Sequence, residues 1–363
     1  MSEAEASSGD PRVEALHRRM AEYSLGGHWQ PREQPARLVP FVWPWERIYE
    51  CLMESGEVIK LGHAGDAANR RTVQLVNPAI TAQKSTTRTL QMSIQLVRPG
   101  ENAECHRHSA AALRFIVESD GTSYTNVDGE QMLMEPGDLV LTPNWTWHDH
   151  HNPSDSNVVW LDVLDVHLAK YLDAMYGELY SEGAADNPNY FEGASQTIVY
   201  PDGYCRRRFG AARPPADRLD PRFVPYTYKW RETRATLDAL AEADVSDAYD
   251  GILLDYKNPL TGGPTMPTIN CRAQMLRPGE ETRPHNHSSC TIYHVVEGEG
   301  VTTVGSDKDG GEELAWGEKD CFFVPSKSWH NFRNTSKTEP AVLFSVSDRP
   351  VLESLGLYRE EQA

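Results

Sequence analysis

Two stretches of the chain repeat one pattern, and that repeat limits the fold more than any other feature. Val97-Arg98-Pro99-Gly100-Glu101 leads to His106-Arg107-His108, and Leu276-Arg277-Pro278-Gly279-Glu280 leads to His285-Asn286-His287. A glycine follows at the same distance in each copy, Gly121 and Gly300. A further histidine closes each one with equal internal spacing, in Asp138, Pro143, His148 and in Asp320, Pro325, His330. A unit written twice implies two copies of one supersecondary structure. Because the histidines are copied with it, architecture and chemistry are constrained together.

The texture around the repeats is β-type. From about residue 74 short runs at 89–97, 111–118, 121–127, 138–142 and 158–164 are separated by turn glycines and prolines, and the pattern returns between 273 and 347. Such spacing suits sandwiches and barrels. The stretch 167–260 is mixed, with helical segments at 168–179 and 231–243 and Pro-rich connections. Residues 1–12 read as disordered and 13–23 as helical. Residues 29–45 read as a Pro- and Trp-rich arm rather than a regular element, and 44–54 as a short helix with Pro44 near its start. The expected fold is all-β dominated, with two β-barrel domains, a helical linker and an N-terminal arm. The expected boundaries are 1–70 for the arm and its helices, 71–170 for the first barrel, 171–262 for the linker and 263–363 for the second barrel.

Bulk properties narrow the function. A net charge of −18 over 363 residues argues against nucleic acid or an anionic membrane surface as partner, yet leaves a small anion free to respond to the local field of a pocket. The six cysteines are scattered without a C-x-x-C pair, which fits a reduced compartment better than a disulfide scaffold. No apolar run approaches the ~20 residues of a membrane span. The N-terminus lacks the basic and apolar regions of a signal peptide, so the expected location is the cytoplasm.

In a strand, residues i and i+2 share a face, so His106 and His108 project together. His148, from a later hairpin, can complete one face of an octahedron, and imidazole suits iron, copper, nickel or zinc. Three neutral ligands leave the other positions of a divalent ion open. An isolated His-x-His pair is more often surface or packing chemistry. Here it sits inside a much longer pattern, which favours a metal.

That longer pattern resembles the two cupin motifs, and its duplication resembles a bicupin, so the expected barrels are jelly rolls. Many metal-binding cupins carry a glutamate three or four residues after the second histidine. Those places hold Ala112 and Leu113 in the first copy and Thr291 and Ile292 in the second, which implies an all-histidine site. More closely, His106-Arg107-His108 with Arg114-Phe115, Thr142-Pro143 with Trp147-His148-Asp149-His150, and Trp160-Leu161-Asp162 are similar to the gentisate 1,2-dioxygenase family. That family includes enzymes that cleave salicylate and 1-hydroxy-2-naphthoate, and the resemblance covers nearly the whole chain.

The resemblance implies one Fe(II) per chain, held by His106, His108 and His148. It implies a 2-hydroxybenzoate and O2 as reactants, cleavage between the carboxyl-bearing and hydroxyl-bearing carbons, and a homotetramer. It further implies that Arg114 pairs with the substrate carboxylate and that Gln95 donates a hydrogen bond to substrate or oxygen. His150 becomes a candidate acid or base, and Asp162 orients it or another polar group. Arg70, preferred over Arg71, reaches the pocket from the preceding segment, and Trp147 joins the substrate-binding set. Polar Gln91 and Ser93 stand where several relatives have an aromatic and a small apolar residue, which points toward a ring with a different or polar substituent, such as a nitro-, halo- or aminosalicylate. His285, His287 and His330 have the same ligand spacing, but the family usually keeps iron only in the first barrel, so the second is expected to be metal-free. His151, His167 and His294 are expected to be structural or solvent-facing. The competing readings are a non-catalytic binding or storage bicupin, and a metal-dependent decarboxylase or isomerase on the same fold.

Overall fold

In this computed structural model the described residues are 10–28, 36–61, 70–180, 195–204, 206 and 220–363. Met1–Arg37 and Leu38–Ala363 form separate compact units. The first contains the helix Pro11–Glu22, begun by Pro11 and capped by the Asp10 side chain, which accepts from the Arg12 amide.

The second unit holds two barrels, each made of a six-stranded and a five-stranded sheet whose pairings are antiparallel. Strand periodicity explains how one sequence run serves two cores. In Gln91–Val97, buried along its whole length, Met92, Ile94 and Leu96 join a cluster shared by both barrels. Gln91, Ser93, Gln95 and Val97 take the other face. Ala112–Glu118 and Val158–Leu164 alternate in step with it. Leu113, Phe115, Leu161 and Val163 enter the shared cluster, whereas Ile116, Val158 and Trp160 pack with Val97 inside the first barrel. Ser93, Arg114 and Asp162 share the inward face, so the barrel interior is apolar at one end and polar at the other.

The two six-stranded sheets meet through that shared cluster, where Phe115 stacks on Phe344 at 4.2 Å. Each barrel also borrows edge strands from outside its own repeat. Phe41–Trp43 pairs with Cys321–Val324 of the second barrel, and Thr227–Tyr228 pairs with Leu139–Thr142 of the first. The arm therefore contributes a regular strand where none was expected; residues 29–35 of it lie outside the described residues. Ile252–Asp255, inside the expected linker, pairs with Asn270–Leu276 and belongs to the second barrel's sheet. The helix Trp45–Val58 buries Ile48, Leu52 and Gly56, one face at i, i+4 and i+8.

The expected helix at 168–179 is shorter. It runs Val166–Tyr171, stops before Asp173 with its φ of +53°, and gives way to a strand, Gly177–Leu179, laid along the His-x-His strand. The repeated glycine has a different reason in each copy. Gly121 adopts a φ of +85°, whereas a Cβ on Gly300 would lie 2.3 Å from the Trp316 ring.

Candidate metal centre and active site

Asn102–His108 and His148–His151 are neighbouring strands in which His106 sits opposite His148. His106, His108 and His148 converge, with ring centroids 4.5–5.4 Å apart and one nitrogen from each within 4.8 Å of the others. His108 Nδ1 lies 2.8 Å from the Ala110 carbonyl and His148 Nδ1 3.0 Å from the Thr146 carbonyl. A carbonyl only accepts, so each Nδ1 carries the proton and each Nε2 keeps a lone pair. His148 Nε2 is buried and has no hydrogen-bond partner. Burial, reinforced by the nearby histidines and Arg114, holds His148 well below its ordinary value; burial above all takes His108 down to about 4. Neutral imidazoles with inward lone pairs are the form a divalent cation requires.

The cluster forms one end of a cavity of about 490 Å³. Arg114, projecting inward, donates to Thr142 Oγ1, and its Nε faces Asp162 Oδ1 at 3.7 Å, a gap that neither atom fills with a hydrogen bond. Asp162 therefore serves Arg114 and not His150, whose Nδ1 meets Thr125 Oγ1 at 2.9 Å. Arg70 Nη2 reaches the Glu104 carbonyl at 3.0 Å and His106 Nδ1 at 2.7 Å. Burial first, and repulsion from Arg114 second, bring Arg70 down to about 9. The neighbouring Arg71 turns away into an ion pair with Glu101 and donates to the Ile59 carbonyl, as alternation along an extended segment requires.

Gln91 and Ser93 line the cavity. Gln95 and His150 are fully buried outside the cavity wall, His150 with its ring 6.0 Å from that of His148, and both amide atoms of Gln95 and Nε2 of His150 lack partners. Trp147 is not part of this site. Being adjacent to His148 it takes the opposite face of its strand, where the Arg107 guanidinium lies 4.3 Å from its ring and Tyr180 packs edge-on. His167, expected to be structural or solvent-facing, lines the cavity with Nε2 3.2 Å from Gln91 Oε1. His294 is buried at the barrel junction against Phe115, and His151 bonds Asp149 and Asn102. Gln74, Gln83, Lys84 and Lys170 complete the polar wall far from any motif.

Charge completes the picture. A chain of net charge −18 gives this cavity four cationic side chains (Arg70, Lys84, Arg114, Lys170) and one carboxylate, Asp162. The excess suits an organic anion.

Residues 93–164 and 273–347 match the model of the cupin domain. The chain is 38% identical over 359 residues to the 5-aminosalicylate 1,2-dioxygenase of Comamonas sp., covering 96% of this chain and 90% of that one. It is 38% identical to the 1-hydroxy-2-naphthoate 1,2-dioxygenase of Nocardioides sp. (strain KP7), over 96% of this chain and 87% of that one. The chain belongs to the gentisate and salicylate 1,2-dioxygenase family. It is a ring-cleaving bicupin dioxygenase, an oxidoreductase of aromatic substrates. Salicylate 1,2-dioxygenase from Pseudoaminobacter salicylatoxidans, solved with gentisate, shares the fold at a TM-score of 0.84 and 29% identity, covering 100% of this chain and 97% of that one. Membership fits the all-histidine cluster and the missing glutamate. It disfavours the storage and decarboxylase readings. Among the described residues no helix is long and apolar enough to cross a membrane.

Proposed function

We propose that the first barrel cleaves a 2-hydroxybenzoate bearing a polar ring substituent, with Fe(II) held by His106, His108 and His148. The observation that carries this reading is the cavity wall, which has two arginines beside the histidine cluster and a row of polar side chains beyond them. Iron bound there would acidify the substrate's phenol and bring ring and O2 into electronic contact. The chain's own residues do the rest. Arg114 and Arg70 receive the substrate carboxylate, to which the unpartnered Nε–H of Arg114 can donate. Asp162 holds the Arg114 guanidinium in place.

Burial, ahead of repulsion from Arg114 and Arg70, keeps His150 neutral and well below its ordinary value. Neutral, it can offer its unpartnered Nε2 as a hydrogen-bond acceptor, while Thr125 fixes its ring. The unpartnered Gln95 amide offers a donor to oxygen or substrate from the closed end. At the far end Gln91, His167, Lys84 and Lys170 face the ring substituent, which favours an amino-, nitro- or hydroxysalicylate over an unsubstituted ring. The bond between the carboxyl-bearing and hydroxyl-bearing carbons breaks and both oxygen atoms enter a ring-opened oxo-dicarboxylic acid, so no external reductant is consumed. A homotetramer in the cytoplasm completes the reading, supported by membership of the family.

The test is O2 uptake by the iron-loaded chain with salicylate, gentisate, 5-aminosalicylate, nitro- and halosalicylates and 1-hydroxy-2-naphthoate, with products followed by ultraviolet absorbance. Turnover should be fastest with a polar-substituted salicylate. No O2 consumption with any of the panel would sink the proposal.

A further inference from the structure

The second histidine cluster carries an inference of its own. His285 and His287 lie on the strand His285–His287, and His330 sits directly opposite His285 on Trp329–Asn334. Their ring centroids are 4.2–5.8 Å apart, and one nitrogen of each lies within 4.8 Å of the others, as in the first barrel. The tautomers are set in the same way. His287 Nδ1 lies 2.9 Å from the Ser289 carbonyl and His330 Nδ1 3.0 Å from the Ser328 carbonyl, so both donate there and both keep the Nε2 lone pair. His330 Nε2 and His285 Nδ1 are buried and have no hydrogen-bond partner. Inward lone pairs in a dry centre cost free energy unless a donor or a cation meets them.

A carboxylate is also present, though not where a cupin glutamate would be. Asp250, from the segment before the barrel, places Oδ1 3.9 Å from His285 Nε2, and its Oδ2 lies 3.9 Å from Arg272. Three imidazoles supply three positions of a four-coordinate divalent ion and leave the fourth to water, while Asp250, facing Nε2 of His285, orients that ring from behind.

The surroundings leave no room for a substrate. The register that places Arg114 opposite Asp162 in the first barrel places Tyr293 opposite Ser345 in the second. The residue two after His330 is Phe332 rather than a histidine, and Tyr293 stacks on Phe322 at 4.7 Å and meets Phe332 at 5.4 Å. These aromatic rings fill the space that is open in the first barrel. The cavity beside His287 and Asp250 measures about 20 Å³, against about 490 Å³ in the first barrel. The closing strand Glu360–Gln362 pairs along His285–His287 and covers the cluster from outside.

We propose that His285, His287 and His330, with Asp250 orienting His285, hold a second divalent transition-metal ion, zinc-like in coordination, whose role is structural. The ion joins the His-x-His strand to the hairpin carrying His330, and Asp250 ties its own segment to the His285 ring. It makes no contact with aromatic acid or O2.

The test is metal analysis of the full chain after saturation with Zn(II), and separately with Fe(II) under anaerobic conditions, followed by desalting. Two equivalents per chain are expected, and saturation at one with both metals overturns the proposal. His148→Ala should retain one equivalent, and so should His330→Ala. The His330→Ala chain should keep O2 uptake while its Tm falls. Unchanged metal content in His330→Ala overturns the ligand assignment. Loss of O2 uptake from a folded His330→Ala chain with its first site filled overturns the structural role. Should His330→Ala fail to fold, Asp250→Asn is the second variant. It should weaken binding of the second equivalent by about tenfold or more, and wild-type affinity there removes Asp250 from the site.

Discussion

Arg114 and Asp162 face each other across 3.7 Å with neither Arg114 Nε nor Asp162 Oδ1 hydrogen-bonded, which leaves the Nε–H available to the carboxylate of the proposed substrate. Arg114→Ala should reduce kcat/KM for 2-hydroxybenzoates by about 3–5 kcal/mol, the scale of breaking a buried charge pair. Steady-state O2 uptake measures it, and an unchanged kcat/KM would mean the carboxylate is held elsewhere. His167 lines the same cavity, bonded to Gln91. His167→Ala should change the ratio of kcat/KM between amino- and unsubstituted salicylate by roughly tenfold, about 1.4 kcal/mol, with first-barrel metal content unchanged. A constant ratio would exclude it from substituent recognition. The histidine cluster was legible in the sequence because ligand spacing along a strand is a geometric rule. So was the inward face of Ser93 and Arg114. His167, Lys84 and Lys170 were not, since they come from irregular or short helical segments whose position depends on tertiary packing. Trp147 was misplaced because proximity to His148 in sequence puts it on the opposite face of the strand, against Arg107.

At the scale of elements, the barrels themselves were readable from alternation and turn residues, whereas the strands they borrow were not. Phe41–Trp43 and Thr227–Tyr228 are too short to show a period, and their partners lie far away in sequence. Trp43 is the anchor of the first of these. It is 9% exposed, sits in the cluster shared by both barrels, and donates from Nε1 to the Val76 carbonyl at 3.3 Å. Trp43→Ala should destabilise the chain by about 3–5 kcal/mol, read from urea unfolding. A loss below ~1 kcal/mol would show that the strand merely rests on the sheet. The helix expected at 168–179 failed for a local reason, because Asp173 adopts a left-handed conformation that ends the helix and frees Gly177–Leu179 to join the His-x-His strand.

At the scale of the molecule, the junction between barrels contains a titratable group. His294 packs against Phe115 of the other barrel, and burial takes it down to about 3. An unfolded histidine titrates near ~6.5, so between these values the unfolded chain binds a proton that the native chain refuses. Its stabilising contribution is intact above pH ~6.5 and declines as pH falls toward 3, by up to ~1.4 kcal/mol per unit. His294→Gln should flatten the fall in unfolding free energy between pH 6 and 4, and an identical slope would assign the acid sensitivity elsewhere. The borrowed strand has a different consequence, one of timing. Phe41 must wait for Phe323, about 280 residues later, before it can pair. At the ~5–20 residues per second of synthesis that delay is roughly 15–60 s. Throughout it the strand exposes an unpaired edge of the kind that other chains can capture. The second barrel's sheet thus stays incomplete until Cys321–Val324 emerges, whereas the first barrel, whose borrowed strand Thr227–Tyr228 is made earlier, can close before it.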